Sequence, residues 1–515
     1  MKISIILLLS LFSVLNSQEV SPIRLRALYN SLDPKSVAQH LAFYELYPQT
    51  SEGQQAVRDA YTLLSGTLVN SSQTPSLPPT LVSSIQAIIG LVNKHPGDAG
   101  IELNDRELQQ IEQLACRLPN RFLAGFSALS EDDVMALHPA QIDLARGILL
   151  SQLGNSPDAM RKIRSYEAAI DLMALQILTR VGLYDTPKTK IRAINQYIFE
   201  EMGFRFPPHS SYAKDIDLYT FLPSVLDSRR GVCLGVSILY ICLAQRLNLD
   251  LEIVTPPGHI FVRWIGDHEE VNIETTARGV NIPTEEYLGV DTRKLQKRNI
   301  KETIGMAHFN QASIYWERQD YDKALASYLK AQPYLIGDKQ LTTLMGYAYL
   351  LRGDEEKARF LLKQVVDYLP DHAVSKDTVA EDYFNGVVGI DGIRATFLHV
   401  DENRETLVAK RKALEEALQK YPRFRDGIFS LAGTWLQLHR AGEALEALQR
   451  YHDIDPTNAP VEYYLAALYA ERLDFNQAWE HFRNAELIAQ KREHKPKALL
   501  DLRQELAERC PEWRE

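Results

Sequence analysis

Four cysteines in 515 residues, Cys116, Cys233, Cys242 and Cys510, are too few to staple a chain of this length, which excludes a disulfide scaffold. Basic excess is also missing. With 57 Lys and Arg against 67 Asp and Glu, the formal net charge is −10, so the chain lacks the electrostatic footprint that nucleic acid requires. Past the amino terminus no apolar run approaches the roughly 18 residues that would suggest a bilayer span. The expectation is a mature chain with no stable membrane span, large enough for several domains.

The amino terminus reads as an export signal. Lys2 is the only early charge, Ile3 to Phe12 is apolar apart from serine, and small and polar residues follow to Ser17. Cleavage after residue 17 gives an exported protein, periplasmic or secreted. Leu15 stands where a signal peptidase prefers a small residue, and the alternative is an uncleaved segment that anchors the chain to a membrane.

Helical spacing of apolar residues dominates from 18 to 160, as in "SVAQHLAFYELYP" and "GQQAVRDAYTLL", with a Ser- and Pro-rich linker near 70–80. The pattern changes after residue 230. "SILYICLAQRLNL" suits a largely buried helix, while "LEIVTPP", "HIFVRWI" and "EVNIET" are short, rich in β-branched and aromatic residues, and bounded by turn residues, as strands are. A helix followed by consecutive strands implies an α+β domain with an antiparallel sheet.

The carboxy-terminal half repeats with a period of 34. Ala312, Tyr315, Ala324 and Tyr328 return as Gly346, Tyr349, Ala358 and Leu362; Ala432, Trp435, Ala444 and Leu448 return as Ala466, Tyr469, Ala478 and Phe482. Small and aromatic residues alternating at this period match the tetratricopeptide repeat, in which small residues allow two antiparallel helices to approach. The expected repeats span 301–370 and 405–490, separated by an irregular insertion at 371–404 and followed by a carboxy-terminal helix at 491–515.

One constellation carries chemistry. Gly231 and Val232 lead into the apolar run, which places Cys233 in the first turn of a helix. A helix amino terminus and a neighbouring imidazolium both favour a thiolate, and the backbone N–H of a first-turn residue has no intrahelical acceptor and is available to an oxyanion. His259 follows the Pro256-Pro257-Gly258 turn and opens the strand "HIFVRW". One strand later, Glu274 stands where a hairpin would bring it to the imidazole, the orienting role in a catalytic triad. If Cys233 and Cys242 share a helix they lie roughly 13.5 Å apart along its axis, too far for a disulfide. Cys242 reads as a core residue. A zinc site of Cys233, His259 and His268 is available by residue type but lacks paired ligand spacing, so no metal and no cofactor is expected.

The run "GVCLGVSILYICLAQRLNL", with "PPGHIFVRW" and "VNIETTARG" after it, resembles the transglutaminase-like superfamily, whose papain-related domains carry Cys, His and an acid in this order. With the upstream "INQYIFEEMGFRF" and "LPSVLDSRRG" and the following repeats, it is similar to the bacterial SirB-type transglutaminase-like family. The resemblance puts the nucleophile at Cys233, the base at His259 and the acidic member at Glu274, where Glu replaces the usual Asp. Tyr240, Arg229 and Arg230 fall within the resembling stretch without an assigned role. Many SirB-type proteins lack the cysteine; this chain has it.

The expected architecture is therefore an α+β papain-like transglutaminase-type domain at 161–295, flanked by the amino-terminal helical region and an all-α tetratricopeptide solenoid. The expected function is that of a thiol peptidase, amidase or acyl transferase acting on protein or peptide amide bonds, with the repeats binding a protein or peptide partner. The alternative is a non-catalytic scaffold that serves as an assembly factor.

Overall fold

A computed structural model describes residues 21–66, 85–98, 100, 102–207, 220–401 and 403–510. The expected signal peptide and the linker near 70–80 lie outside the described residues. The described residues form two compact units, one drawn from those within 1–95, 103–117 and 168–184, the other from those within 96–102, 118–167 and 185–515. No helix among the described residues is long and apolar enough to cross a membrane.

The first unit is helical. Its helices Pro22–Asn30, Val37–Leu46 and Ser51–Ser65 each start at a Ser or Thr whose hydroxyl accepts a backbone N–H, so local sequence fixes where they begin. Leu25, Phe43 and Ala56 meet in a small core.

In the second unit, residues 118–160, which the sequence groups with the amino-terminal helices, and 161–167 share a core with the α+β region. Gln245 near the end of helix Cys233–Arg246 bridges to the start of helix Leu144–Leu153: its Oε1 accepts from Leu144 N (3.0 Å), and its Nε2 donates to Ile142 O (2.9 Å). Beneath this contact Arg146 grips Glu167 through two hydrogen bonds of 2.6 and 2.7 Å, both side chains being buried. An ion pair this deep is retained only with its geometry satisfied at both ends.

The sheet has four antiparallel strands, β1 (Glu252–Thr255), β2 (Phe261–Ile265), β3 (Glu270–Ile273) and β4 (Gln296–Arg298), in the order β3-β2-β1-β4. The first three coincide with the apolar runs in the sequence. The sequence gives no warning of β4, because "QKR" has no strand character; it sits at an edge and begins one residue past the limit expected at 295. From β4 the chain passes through the capping box of Asn299 and Glu302 directly into helix Ile300–Glu317.

That helix begins the repeats. Ile300–Glu317 pairs with Tyr321–Ala331, Lys339–Arg352 with Glu355–Lys363, Arg425–Gln437 with Ala441–His452, and Ala459–Glu471 with Phe475–Lys491, giving four helical hairpins. The insertion contains two short helices, Val379–Phe384 and Ile390–Thr396, before the long helix Arg404–Lys420. Arg425 ties it to the second pair of hairpins, bonding Asp382 (2.7 Å), Glu381 (2.8 Å) and Asp455 (3.3 Å). A final helix, Lys497–Arg509, covers the last hairpin.

Ala324, Ala358, Ala444 and Ala478, one per hairpin, are each fully buried. Ala444→Leu should therefore overpack a helix crossing and cost roughly 1–3 kcal/mol in a urea titration, whereas Glu446→Leu, at an exposed position of the same helix, should change stability by no more than about 0.5 kcal/mol.

Candidate active site

Helix Leu222–Ser228 ends at Arg229, whose left-handed φ of 52° turns the chain back. Gly231 then passes so close to the next helix that a Cβ would lie 2.5 Å from Val236 Cγ2. These two constraints set the start of helix Cys233–Arg246. Its N-cap, Val232, brings no side-chain acceptor to the first-turn N–H groups of Cys233 and its neighbours. Cys233 is half-buried at this end, while Cys242 lies fully buried further along, where burial pushes its thiol pKa up.

His259 is delivered by a tight turn. Its N–H donates to Pro256 O at 3.1 Å, with Pro257 and Gly258 at the corners and Gly258 at φ +71°, the geometry a type II turn requires. It precedes β2 by two residues instead of opening it, because the turn occupies the first positions of the expected strand.

Glu274 follows β3 directly. Its backbone pairs with Val280 and Gly279 (Glu274 N to Val280 O, 3.0 Å; Gly279 N to Glu274 O, 2.8 Å), closing a small loop. Gly279 has φ +77° and lies against Asn195, leaving no room for a Cβ. Asn195 donates to Gly279 O (3.2 Å) and accepts from the Tyr240 hydroxyl (2.9 Å). Tyr240 thus has a structural part: through Asn195 it steadies the loop that carries the acid. Arg229 donates to Met202 O at 3.0 Å and is likewise structural.

These elements bring Cys233, His259 and Glu274 together. His259 Nε2 meets Glu274 Oε2 at 2.6 Å, and the Cys233 thiol lies near enough to the imidazole to raise its pKa. With Nε2 taken by the carboxylate, Nδ1 is the nitrogen left for the thiol. Glu274 is 3% exposed and each of its oxygens has two partners: Oε1 accepts from Thr276 N (3.1 Å) and Oγ1 (2.6 Å), and Oε2 from His259 and the Tyr287 hydroxyl (2.9 Å). Burial pushes the Glu274 pKa up, but the hydrogen bonds from His259 and Thr276 outweigh it and hold the group below its ordinary value. The hydrogen bond to Cys233, then that to Glu274, raise His259 from 6.5 to about 10 against the opposing effect of burial. The ring is thereby an imidazolium at neutral pH, near a thiol in the first turn of a helix.

Two partners of Glu274 escape the sequence reading. Thr276 had a local signal, since a carboxylate two residues before a Thr N–H is an N-cap pattern, and Glu274 does cap the turn Thr275–Ala277. Tyr287 had none; it lies in the turn Thr284–Tyr287, stacked near Phe261 (4.5 Å between ring centres) and His259 (6.1 Å). His268 lies exposed at the β2–β3 turn, at the far end of β2 from His259, so a zinc set of Cys233, His259 and His268 is not assembled.

Residues 164–306 match the family model of the transglutaminase-like superfamily. Among curated proteins, the chain is 23% identical over 261 residues to mouse (Mus musculus) F-box only protein 21, a match covering 46% of this chain and 39% of that protein. Among solved structures, a crystal structure of MamA is similar at 19% identity, covering 35% of this chain and 96% of the other with a TM-score of 0.20. TTC0263, described as a thermophilic TPR protein from Thermus thermophilus, is similar at 18% identity, covering 40% and 98% with a TM-score of 0.19. The matched segment holds the whole cluster, from Asn195 through Cys233, His259 and Glu274 to Tyr287, and runs past β4 into the first repeat helix.

The raised His259 pKa fixes the sign of a pH effect on stability. Because the folded value exceeds the ordinary 6.5, the interaction contributes its full stability below about pH 6.5 and loses it as pH rises towards 10. In an NMR titration of the ring, Cys233→Ala should lower the midpoint from the wild-type value, since the bond to Cys233 is the largest cause of the shift. An unchanged midpoint would remove that bond from the account.

Proposed function

We propose that the chain is an exported thiol enzyme of the transglutaminase-like kind, SirB-type in its architecture, acting on amide bonds of a protein or peptide held by its repeats. The observation that carries this reading is the His259 ring held by a buried, four-times hydrogen-bonded Glu274 carboxylate, with the Cys233 thiol near enough to raise the ring's pKa. A core cysteine beside a structural histidine needs no such alignment.

In the proposed cycle the Cys233 sulfur attacks the amide carbonyl carbon, forming a C–S bond and placing negative charge on oxygen near the Cys233 N–H. The C–N bond then breaks as the His259 imidazolium gives its proton to the departing amine or ammonia. Water, or an acceptor amine, loses a proton to His259 while attacking the thioester, and the thiol is regenerated. Hydrolysis, deamidation and acyl transfer differ only in the leaving group and the acceptor. Glu274 stabilises the imidazolium at each stage and holds Nε2, leaving Nδ1 as the nitrogen that exchanges protons in the cycle.

The repeats supply a place for the substrate. A cavity of about 400 Å³ opens beside the second hairpin and the insertion, lined by Lys339, Thr343, Tyr347, Tyr368, His372 and Phe397. Aromatic walls with a few charged and hydroxyl groups suit an extended peptide.

Partners captured by full-length Cys233→Ala should be cleaved, deamidated or cross-linked when transferred to the wild-type protein and left unchanged by Cys233→Ala, as read by peptide mass spectrometry. Lys339→Glu at the cavity should weaken capture and leave Cys233 as reactive as before. Partners that bind but are never modified by the wild type point instead to a scaffold that assembles other proteins.

A further inference from the structure

The last repeats hold a second cluster of chemistry-bearing side chains that the proposed reaction does not use. His452 ends helix Ala441–His452, Glu462 lies in the first turn of helix Ala459–Glu471, and His481 lies midway along helix Phe475–Lys491. The three converge. His452 Nδ1 is 2.5 Å from Glu462 Oε1, and His481 Nδ1 is 2.9 Å from Glu462 Oε2. The Glu462 side chain is completely buried, His481 is 3% exposed and His452 is 23% exposed, so the cluster is closed on the protein side and reached from the rim through His452. Tyr469 lies parallel to the His481 ring with centres 5.5 Å apart, and the two imidazoles meet edge to face at 5.0 Å.

We propose that His452, Glu462 and His481 form a binding site for a divalent transition-metal ion of the zinc class, which staples three successive helices of the terminal repeats. Two imidazole nitrogens and one carboxylate are a donor set that suits zinc, and the candidate ligand atoms all lie within 4.8 Å of one another. Bonds of about 2.0–2.2 Å in tetrahedral geometry separate ligand atoms by about 3.4 Å, so the ion needs the His–Glu contacts to open by under about 1 Å. Movement of the partly exposed His452 opens its own contact, while that of the buried His481 must open by only about 0.5 Å. The local charge is mixed but net negative: Glu462 brings one buried negative charge and His452 sits at the negative end of its helix, against the positive end of the helix that carries Glu462. Asn484, whose Nδ2 donates to Glu462 Oε2 at 3.1 Å, orients the carboxylate in the way ligating carboxylates are commonly held, and the exposed side admits water as fourth ligand.

Each Nδ1 must shed its proton to bind the ion, so affinity falls as pH falls. The competing description is a hydrogen-bonded cluster in which both Nδ1–H groups donate to Glu462 and no ion enters.

The deciding experiment is a calorimetric titration of chelator-treated, full-length Cys233→Ala protein with zinc chloride near pH 7.5, the substitution removing a competing thiol. The proposal predicts a tight equivalent that weakens at least tenfold in an added His452→Gln background and weakens on lowering the pH to 6. His452→Gln changes the rim of the cluster, so the fold should persist by circular dichroism even where Glu462→Gln unfolds the hairpin. Zinc at 100 times its dissociation constant should raise the folded-to-unfolded ratio about 100-fold in the parent and much less in the His452→Gln variant. If His452→Gln binds zinc as tightly as the parent, or if zinc leaves the parent's melting temperature unchanged, the cluster is only a hydrogen-bonded one and the proposal fails.

Discussion

A carboxylate out of reach of water must have its lone pairs met by the protein, and the site around Cys233 is arranged to meet those of Glu274. Thr276 fills one oxygen through its backbone and hydroxyl, and Tyr287 and His259 share the other. The consequence reaches beyond the carboxylate. With Nε2 held, the His259 ring cannot rotate without abandoning a buried charge, so the face it turns to Cys233 is fixed. The loop behind Glu274 is pinned in turn by the chain of Tyr240, Asn195 and Gly279. Helix, turn and strand each position one group, and the buried charge makes their positions interdependent.

The same carboxylate connects the site to the repeats. Tyr287 belongs to the stretch between β3 and β4, and that stretch is held along its length by residues of the carboxy-terminal half. Glu286 pairs with Lys497, Gly289 O meets His494 Nε2 at 2.8 Å, and Asp291 receives the backbone N–H groups of Val374 and Ser375. At its end Arg298 pairs with Asp338 at 2.8 Å, both side chains 11% exposed. A hydroxyl that touches Glu274 is thus carried on a strap anchored to the second hairpin, the insertion and the segment after the last hairpin. The repeats are a wall of the α+β region as well as a candidate binding surface.

Much of this was legible because the chemistry obeys local rules. Cys233 could be put at a helix start from Gly231 and the apolar run after it, His259 at a turn from Pro-Pro-Gly, and Glu274 near His259 by counting one strand onward. The hairpins were legible because a 34-residue period repeats the same buried alanines. What could not be read depends on contacts between distant segments. Helical periodicity shows that residues 144–153 have an apolar face, but not that helix Cys233–Arg246 covers it. Tyr287 and β4 carry no signature of their own; their places follow from the strap. His452, Glu462 and His481 sit on three helices, where only the stacking of hairpins brings them into one cluster, so the expectation of no metal rested on spacing along the chain.

The central claim is that His259 and Glu274 make Cys233 a reactive thiol, and the protein contains its own reference. Cys116 is exposed, Cys242 is buried, and Cys233 lies between them in accessibility. The most direct test is to measure the alkylation rate at each cysteine of the native protein with a small iodoacetamide reagent near neutral pH, resolved by peptide mass spectrometry. Access alone would make Cys116 the fastest. The account predicts that Cys233 outpaces it, that His259→Ala removes the advantage, and that Cys242 stays unmodified until the chain unfolds. Cys233 reacting no faster than Cys116, or equally fast without His259, would contradict it.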